Sequence, residues 1–170
     1  NALAATAAAL SAGASPTAVA AGLAGFRAVR GRLVALEALA GAVVLDDTYN
    51  ANPDSVRAAI DVLAATPGTR WLVMGDMGEV GDAGPAFHRE IGEYARAQGI
   101  ARLFALGPQA RECAAAFGTG AAHYASAEAL AAALAHDAVA GVTVLVKGSR
   151  FMRMERVVDA LTRRGAEGGH

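Results

Sequence analysis

Trp71-Leu72-Val73-Met74 is a short, uninterrupted apolar run that breaks into Gly75-Asp76-Met77-Gly78-Glu79 and then into a helical stretch, Pro85–Gln98. A strand wetted on one side alternates apolar and polar residues. A strand covered on both faces reads instead as continuous hydrophobe, as this one does. The pattern of strand, polar loop and helix recurs with strand starts about thirty residues apart, the spacing of βαβ units. Further apolar runs lie at Leu33–Leu36, Ala42–Asp46, Arg102–Leu106 and Thr143–Val146, with a weaker one at His123-Tyr124. Helical stretches lie at Asp54–Ala65, Pro108–Phe117, Ala127–His136 and Met152–Arg164. This repetition predicts right-handed crossovers and a parallel sheet with helices on both faces, an α/β fold.

The whole chain suits that reading. Its 170 residues make one globular domain with a short appendage. Hydrophobic residues at 54% and charged residues at 18% supply a core and argue against disorder. A formal charge of -1 gives no field favouring nucleic acid or an anionic membrane surface. The one cysteine, Cys113, cannot form an internal disulfide, and no Cys/His cluster has zinc spacing, so a reducing compartment is expected. No apolar run reaches the roughly 20 residues that a bilayer requires. The chain begins Asn1-Ala2-Leu3, with neither an initiator Met nor a basic leader, and reads as a piece of something longer. Ahead of the strands, residues 2–12 and 16–24 are two short Ala/Leu helices, with Ser15-Pro16 as the cap of the second. Gly25–Arg32 is a polar linker, and the polar tail Gly165–His170 is expected to fray.

Open parallel sheets bind ligands beyond the carboxyl ends of their strands. Polar residues gather at three such places. Asp46-Asp47-Thr48-Tyr49-Asn50-Ala51-Asn52-Pro53-Asp54-Ser55 follows the second strand. Its carboxylates suit ribose hydroxyls or a metal, and its carboxamides suit a purine edge, since they both donate and accept. Turn formation, with Asp54 or Ser55 capping the next helix, is the competing explanation. The density of Asp47, Asn50 and Asn52 favours a binding role for those three. Arg32 after Gly31 can meet a phosphate bidentately or be a solvated linker charge. Lys147-Gly148-Ser149-Arg150 follows the last strand and sets an ammonium, a hydroxyl and a guanidinium where free N–H groups would open a helix, an anion site. Lys147 is the only lysine among fifteen basic residues, which favours a specific role over a surface cation. Asp76, Glu79 and His88 are weaker candidates, and the glycine-rich Gly75–Gly84 stretch suits a lid. Cys113 reads as core packing. Neither GxGxxG after the first strand nor GxxxxGK[ST] occurs, so the chain carries no phosphate cradle of its own.

Taken together, Gly31-Arg32, the Tyr49-Asn50-Ala51-Asn52-Pro53-Asp54-Ser55 run, Gly75-Asp76-Met77-Gly78-Glu79 with His88, Val146-Lys147-Gly148-Ser149-Arg150 and Met154-Glu155 resemble the C-terminal domain of the Mur ligases. The likeness is greatest to the branch that adds D-alanyl-D-alanine to UDP-MurNAc-tripeptide, and it spans essentially the whole chain. It implies a Rossmann-like, doubly wound, mostly parallel sheet over residues 26–165. Residues 1–25 would be closing helices of the family's central ATPase domain, and residues 166–170 a disordered tail. It also implies an ATP-dependent amide-forming step of peptidoglycan synthesis in the cytoplasm, through an acyl phosphate, by a monomer. The partners would be the two peptide substrates and the upstream ATPase domain, with no nucleic acid and no membrane. Arg32 would meet the ATP phosphates; Asp47, Tyr49, Asn50 and Asn52 would lie at the nucleoside; Lys147, Ser149 and Arg150 would hold substrate carboxylates, with Arg32 and Lys147 catalytic. The P-loop and the Mg2+ ligands belong to the family's upstream domain, so no metal site is expected here and the piece alone should not turn over. No Asp-Asn-Pro-Arg run occurs, which excludes the diaminopimelate-adding branch.

Three alternatives remain at this point. A phosphoacceptor receiver-like signalling domain would need Asp76 as an open carboxylate at a strand end. A folylpolyglutamate-type or other Mur-type ligase lobe would share the fold. A dinucleotide oxidoreductase lacks its glycine fingerprint here.

Overall fold

Two short helices come first in the computed structural model, which describes residues 2–162: α1 (Ala2–Ser11) and α2 (Pro16–Ala24). Alanine, the strongest helix former, fills both. Ser15 caps α2 by accepting a hydrogen bond from the Ala18 amide, with Pro16 in the first turn. Neither helix buries a residue.

Six strands and five helices follow. The strands are β1 (Val34–Glu37), β2 (Val43–Asp47), β3 (Thr69–Gly75), β4 (Arg102–Leu106), β5 (Ala121–Tyr124) and β6 (Val142–Lys147). The helices are α3 (Pro53–Ala64), α4 (Gly84–Ala97), α5 (Ala110–Phe117), α6 (Ala127–Asp137) and α7 (Glu155–Leu161). They form one sheet in the order β1-β2-β6-β3-β4-β5, parallel throughout except at β1, which pairs antiparallel with β2. The expected run of parallel crossovers therefore starts one strand late. Residues 38–42 are all that separate β1 from β2, and a parallel crossover needs about a dozen or more.

Each central strand buries both faces. Trp71 and Val73 of β3 join Phe104, Val144 and Val146 against Leu130 and Leu134 of α6 and Val157, Val158 and Leu161 of α7. Leu72 and Met74 join Leu103 and Leu145 against Val56 and Ile60 of α3, Ile91 of α4 and Phe117 of α5. This two-sided burial is why the strands show no polar alternation. After β2 the chain turns into α3 on one face, and after the neighbouring β6 into α7 on the other. Adjacent strands whose continuations diverge in this way open a crevice at their carboxyl ends.

The last helix differs from expectation. A helix from Met152 would run on from the β6 end, but Arg150–Met152 makes a single 3-10 turn and Arg153 takes a left-handed φ of 49°. That conformation ends the turn, and α7 starts only at Glu155. Residues 163 and 164, and the tail at 165–170, lie outside the described residues.

Candidate functional site

The linker is fastened to the end of β2. Asp46, fully buried, accepts hydrogen bonds from the Gly31 amide at 3.2 Å, the Thr48 amide at 3.3 Å and the Thr48 hydroxyl at 2.6 Å. The Tyr49 amide returns a bond to the Gly31 carbonyl. Gly31 sits at φ 77°, and a Cβ there would come within 3.1 Å of the Tyr49 nitrogen, so any side chain at this position would be strained. Arg30 adds ion pairs to Asp46 and to Asp159 of α7. Asp46 thus serves structure, and it is its neighbour that faces the crevice.

Asp47 and Lys147 are the last residues of β2 and β6 and are paired in register. Their side chains meet at 2.5 Å between Oδ2 and Nζ, and Nζ also donates to the Asn50 carbonyl at 2.9 Å. Lys147 is 3% exposed and Asp47 17%. Lys147 therefore forms no open anion site with a helix N-terminus, as the sequence suggests; the ammonium is turned inward. Ser149, also buried, accepts from the Gly78 amide at 2.7 Å and donates to the Ala51 carbonyl at 3.1 Å. It caps no helix.

Other predicted residues lie on the open side of the same rim. The Arg32 guanidinium stacks 4.2 Å from the centre of the exposed Tyr49 ring, a cation–π contact. Among the described residues it has no hydrogen bond or ion pair. Asn50 is exposed, its Oδ1 turned to the Ala51 amide. Asn52, and neither Asp54 nor Ser55, caps α3: its Oδ1 accepts from the Ser55 amide while Ser55 Oγ accepts from the Asn52 amide. Arg150 is exposed and reaches Glu155 at 3.2 Å. Three clefts flank this loop. One, of about 880 Å³, lies between Asn50–Ser55 with Arg57 on one side and Gly78–Val80 with Phe87 on the other. A second, of about 370 Å³, is bordered by Arg30, Gly31, Tyr49, Arg150 and Glu155. A third, of about 360 Å³, is lined by Asn50, Gly78, Glu79, Ser149, Arg150 and Phe151.

The weaker candidates have structural partners. Asp76 is buried and its Oδ1 accepts from the Ala110 amide at 2.7 Å, so it is no open phosphoacceptor and the receiver reading loses its key group. His88 is fully buried; its Nε2 accepts from the Met77 amide and its Nδ1 faces the Gly84 carbonyl. Those two contacts define the neutral tautomer with the proton on Nδ1. They also anchor the Gly75–Gly84 stretch, where Met77 is fully buried, so that segment is fixed at its start; Glu79 stays exposed with φ 59°. Cys113 is buried and its thiol is pushed up to about 12 by desolvation, as an inert core residue should be. Sequence reasoning missed Thr48, which completes the Asp46 anchor, and Phe151, an aromatic 64% exposed beside Gly78. An aromatic between two arginines just after a strand end was the available signal for the latter.

Mg2+ does not fit these residues. At the β2 end Asp46 is taken up by the linker and Thr48 and one Asp47 oxygen by Lys147, and no three His, Cys, Asp or Glu side chains converge among the described residues. No described helix is long and apolar enough to cross a membrane.

Comparison with known proteins identifies the family of this fold. The family model "Mur ligase, glutamate ligase domain" matches residues 31–150. The UDP-N-acetylmuramoyl-tripeptide–D-alanyl-D-alanine ligase of Escherichia coli is 46% identical over 169 residues, covering 97% of this chain and 37% of the relative. A crystal structure of MurF from Acinetobacter baumannii superposes with a TM-score of 0.82 at 32% identity, covering 92% of this chain and 35% of that one. MurF from Thermotoga maritima in complex with ADP does so with a TM-score of 0.72 at 30% identity, over 81% and 32%. The chain thus spans about a third of the length of these relatives. A doubly wound sheet with its polar rim at the β2 and β6 ends, matched by the family model from the linker to Arg150, makes this chain a member of the Mur ligase family, carrying its glutamate ligase domain.

Proposed function

We propose that this chain is the C-terminal lobe of an ATP-dependent ligase that joins D-alanyl-D-alanine to UDP-MurNAc-tripeptide, as a monomer in the cytoplasm. Residues 1–25 are the end of the preceding ATPase domain and residues 26–165 the lobe itself. The observation that carries this reading is the 46% identity across 97% of the chain to the Escherichia coli ligase.

The reaction has two steps. A carboxylate oxygen of the tripeptide attacks the γ-phosphorus of ATP, and ADP leaves. The D-Ala-D-Ala amine then attacks the acyl carbon, gives up a proton and expels inorganic phosphate. Mg2+ supplies charge neutralisation from ligands outside this chain. The lobe contributes fixed charge and a dry wall when it closes over the nucleotide. Arg32, parked on Tyr49, swings onto the phosphates as a planar fork. Asp47 has given Oδ2 to Lys147, and its Oδ1 accepts from a ribose hydroxyl. Asn50 and Tyr49 line the nucleoside side of the loop, and Asn52 contributes by capping the helix behind it. Arg150, at the mouth of the second cleft, receives a substrate carboxylate. The lobe alone does not turn over, since its sequence holds no phosphate-cradle motif and no metal-ligating cluster forms among its described residues.

The test is phosphate release by the full-length protein given ATP, UDP-MurNAc-tripeptide and D-Ala-D-Ala. Release should require the dipeptide, and Arg32→Ala should lower kcat/KM about a hundredfold, roughly 2.7 kcal/mol of transition-state stabilisation. Phosphate release indifferent to D-Ala-D-Ala, or an Arg32→Ala enzyme with full activity, would refute it.

A further inference from the structure

We infer that Lys147 is a positioning residue: it holds Asp47 and the Tyr49–Asn52 loop in their nucleotide-facing arrangement from beneath and touches no substrate. This rests on the ligase reading and departs from the substrate-binding role that the resemblance implies for Lys147.

The chemistry of the ammonium leads there. A lysine Nζ has three N–H donors. One goes to Asp47 Oδ2 at 2.5 Å and one to the Asn50 carbonyl at 2.9 Å, and the side chain is 3% exposed. A substrate carboxylate would have to displace the Asp47 carboxylate already there, and separating a buried ion pair is costly. The parallel register of β2 and β6 places the two side chains side by side, so the pair is fixed by the sheet itself. Two residues on, Ser149 repeats the device, gripping the Ala51 carbonyl and the Gly78 amide. Consecutive carbonyls of one loop, at Asn50 and Ala51, are thereby tied to the end of β6. The groups that loop presents outward are Tyr49, Asn50 and the second oxygen of Asp47. Lys147 thus acts on the nucleotide through Asp47, and a compact ammonium suits this slot where a planar guanidinium fork would not.

The experiment is steady-state kinetics of the full-length protein with Lys147→Met, Asp47→Asn and both together, varying ATP and D-Ala-D-Ala separately. Lys147→Met should raise the KM for ATP about tenfold or more and leave the KM for D-Ala-D-Ala within about twofold. The double variant should match Asp47→Asn alone, since groups that act as one unit are not additive. A rise confined to the dipeptide KM means direct contact and overturns the inference. Unchanged kinetics with only a lowered Tm means a purely structural role and also overturns it. If Lys147→Met does not fold, Asp47→Asn decides: a wild-type KM for ATP removes the group through which Lys147 is held to act. A wild-type protein that releases no dipeptide-dependent phosphate is a different result, and takes down the ligase reading together with this inference.

Discussion

The helical hairpin of α1 and α2 and the sheet lobe that follows are built from similar residues with opposite results. Both hairpin helices are rich in alanine and leucine, yet none of their residues is buried, and Leu3, Leu10 and Leu23 all remain exposed. In the lobe α3 alone buries Val56, Ala59, Ile60 and Leu63. The difference lies in pattern rather than composition. The α3 apolar residues recur at helical spacing along one stripe and have a sheet to cover, whereas α1 and α2 are apolar all round, the pattern of helices covered on every side, as the end of the proposed ATPase domain would be. At 10 and 9 residues, α1 and α2 are too short for alanine's propensity alone to hold them in water, since packing supplies most helical stability.

That contrast can be broken from either side. Phe104 is buried between Trp71, at 5.5 Å between ring centres, and Tyr124, at 6.1 Å. Phe104→Ala should cost about 3–5 kcal/mol in denaturant unfolding of the lobe, and a loss below 1 kcal/mol would mean the core is not where we place it. Gly92 on α4 lies against the Cys113 carbonyl of α5, closer than any Cβ tolerates. Gly92→Ala should therefore destabilise by about 1–3 kcal/mol, despite alanine's better helix propensity. Thiol labelling reads the same event, since the buried Cys113, with its thiol raised to about 12, should react only once α4 and α5 separate. On the hairpin, Leu10→Ala should shift the lobe's unfolding free energy by no more than about 0.5 kcal/mol. A large effect there would show that α1 contributes to the lobe's core after all.

Much of the lobe was legible in advance because its strands are buried on both sides, and continuous runs such as Leu72–Met74 carry that fact locally. The antiparallel β1 was also written in the sequence, in the shortness of residues 38–42, but the repeating pattern outweighed it. The start of α7 was not legible: nothing in Arg150–Arg153 announces a left-handed residue. At the site, Asp47 and Asn50 stood out because polar residues after a buried strand need a reason, whereas Arg32, in the linker ahead of β1, drew its role from the family resemblance alone. Which of them face outward depended on strand order. Asp47 and Lys147 are a hundred residues apart, and only the adjacency of β2 and β6 makes them partners. Asp46 and Asp47 are chemically identical neighbours, and their separate roles follow from the linker that returns to Asp46.

The central claim is that the rim at the β2 and β6 ends faces the nucleotide. It is tested most directly by a crystal structure of the full-length protein with a non-hydrolysable ATP analogue. We expect Asp47 Oδ1 within about 2.5–3.2 Å of a ribose hydroxyl and the Arg32 guanidinium lifted from Tyr49 onto a phosphate oxygen. A nucleotide bound with neither contact, and with Arg32 still resting on Tyr49, would contradict it.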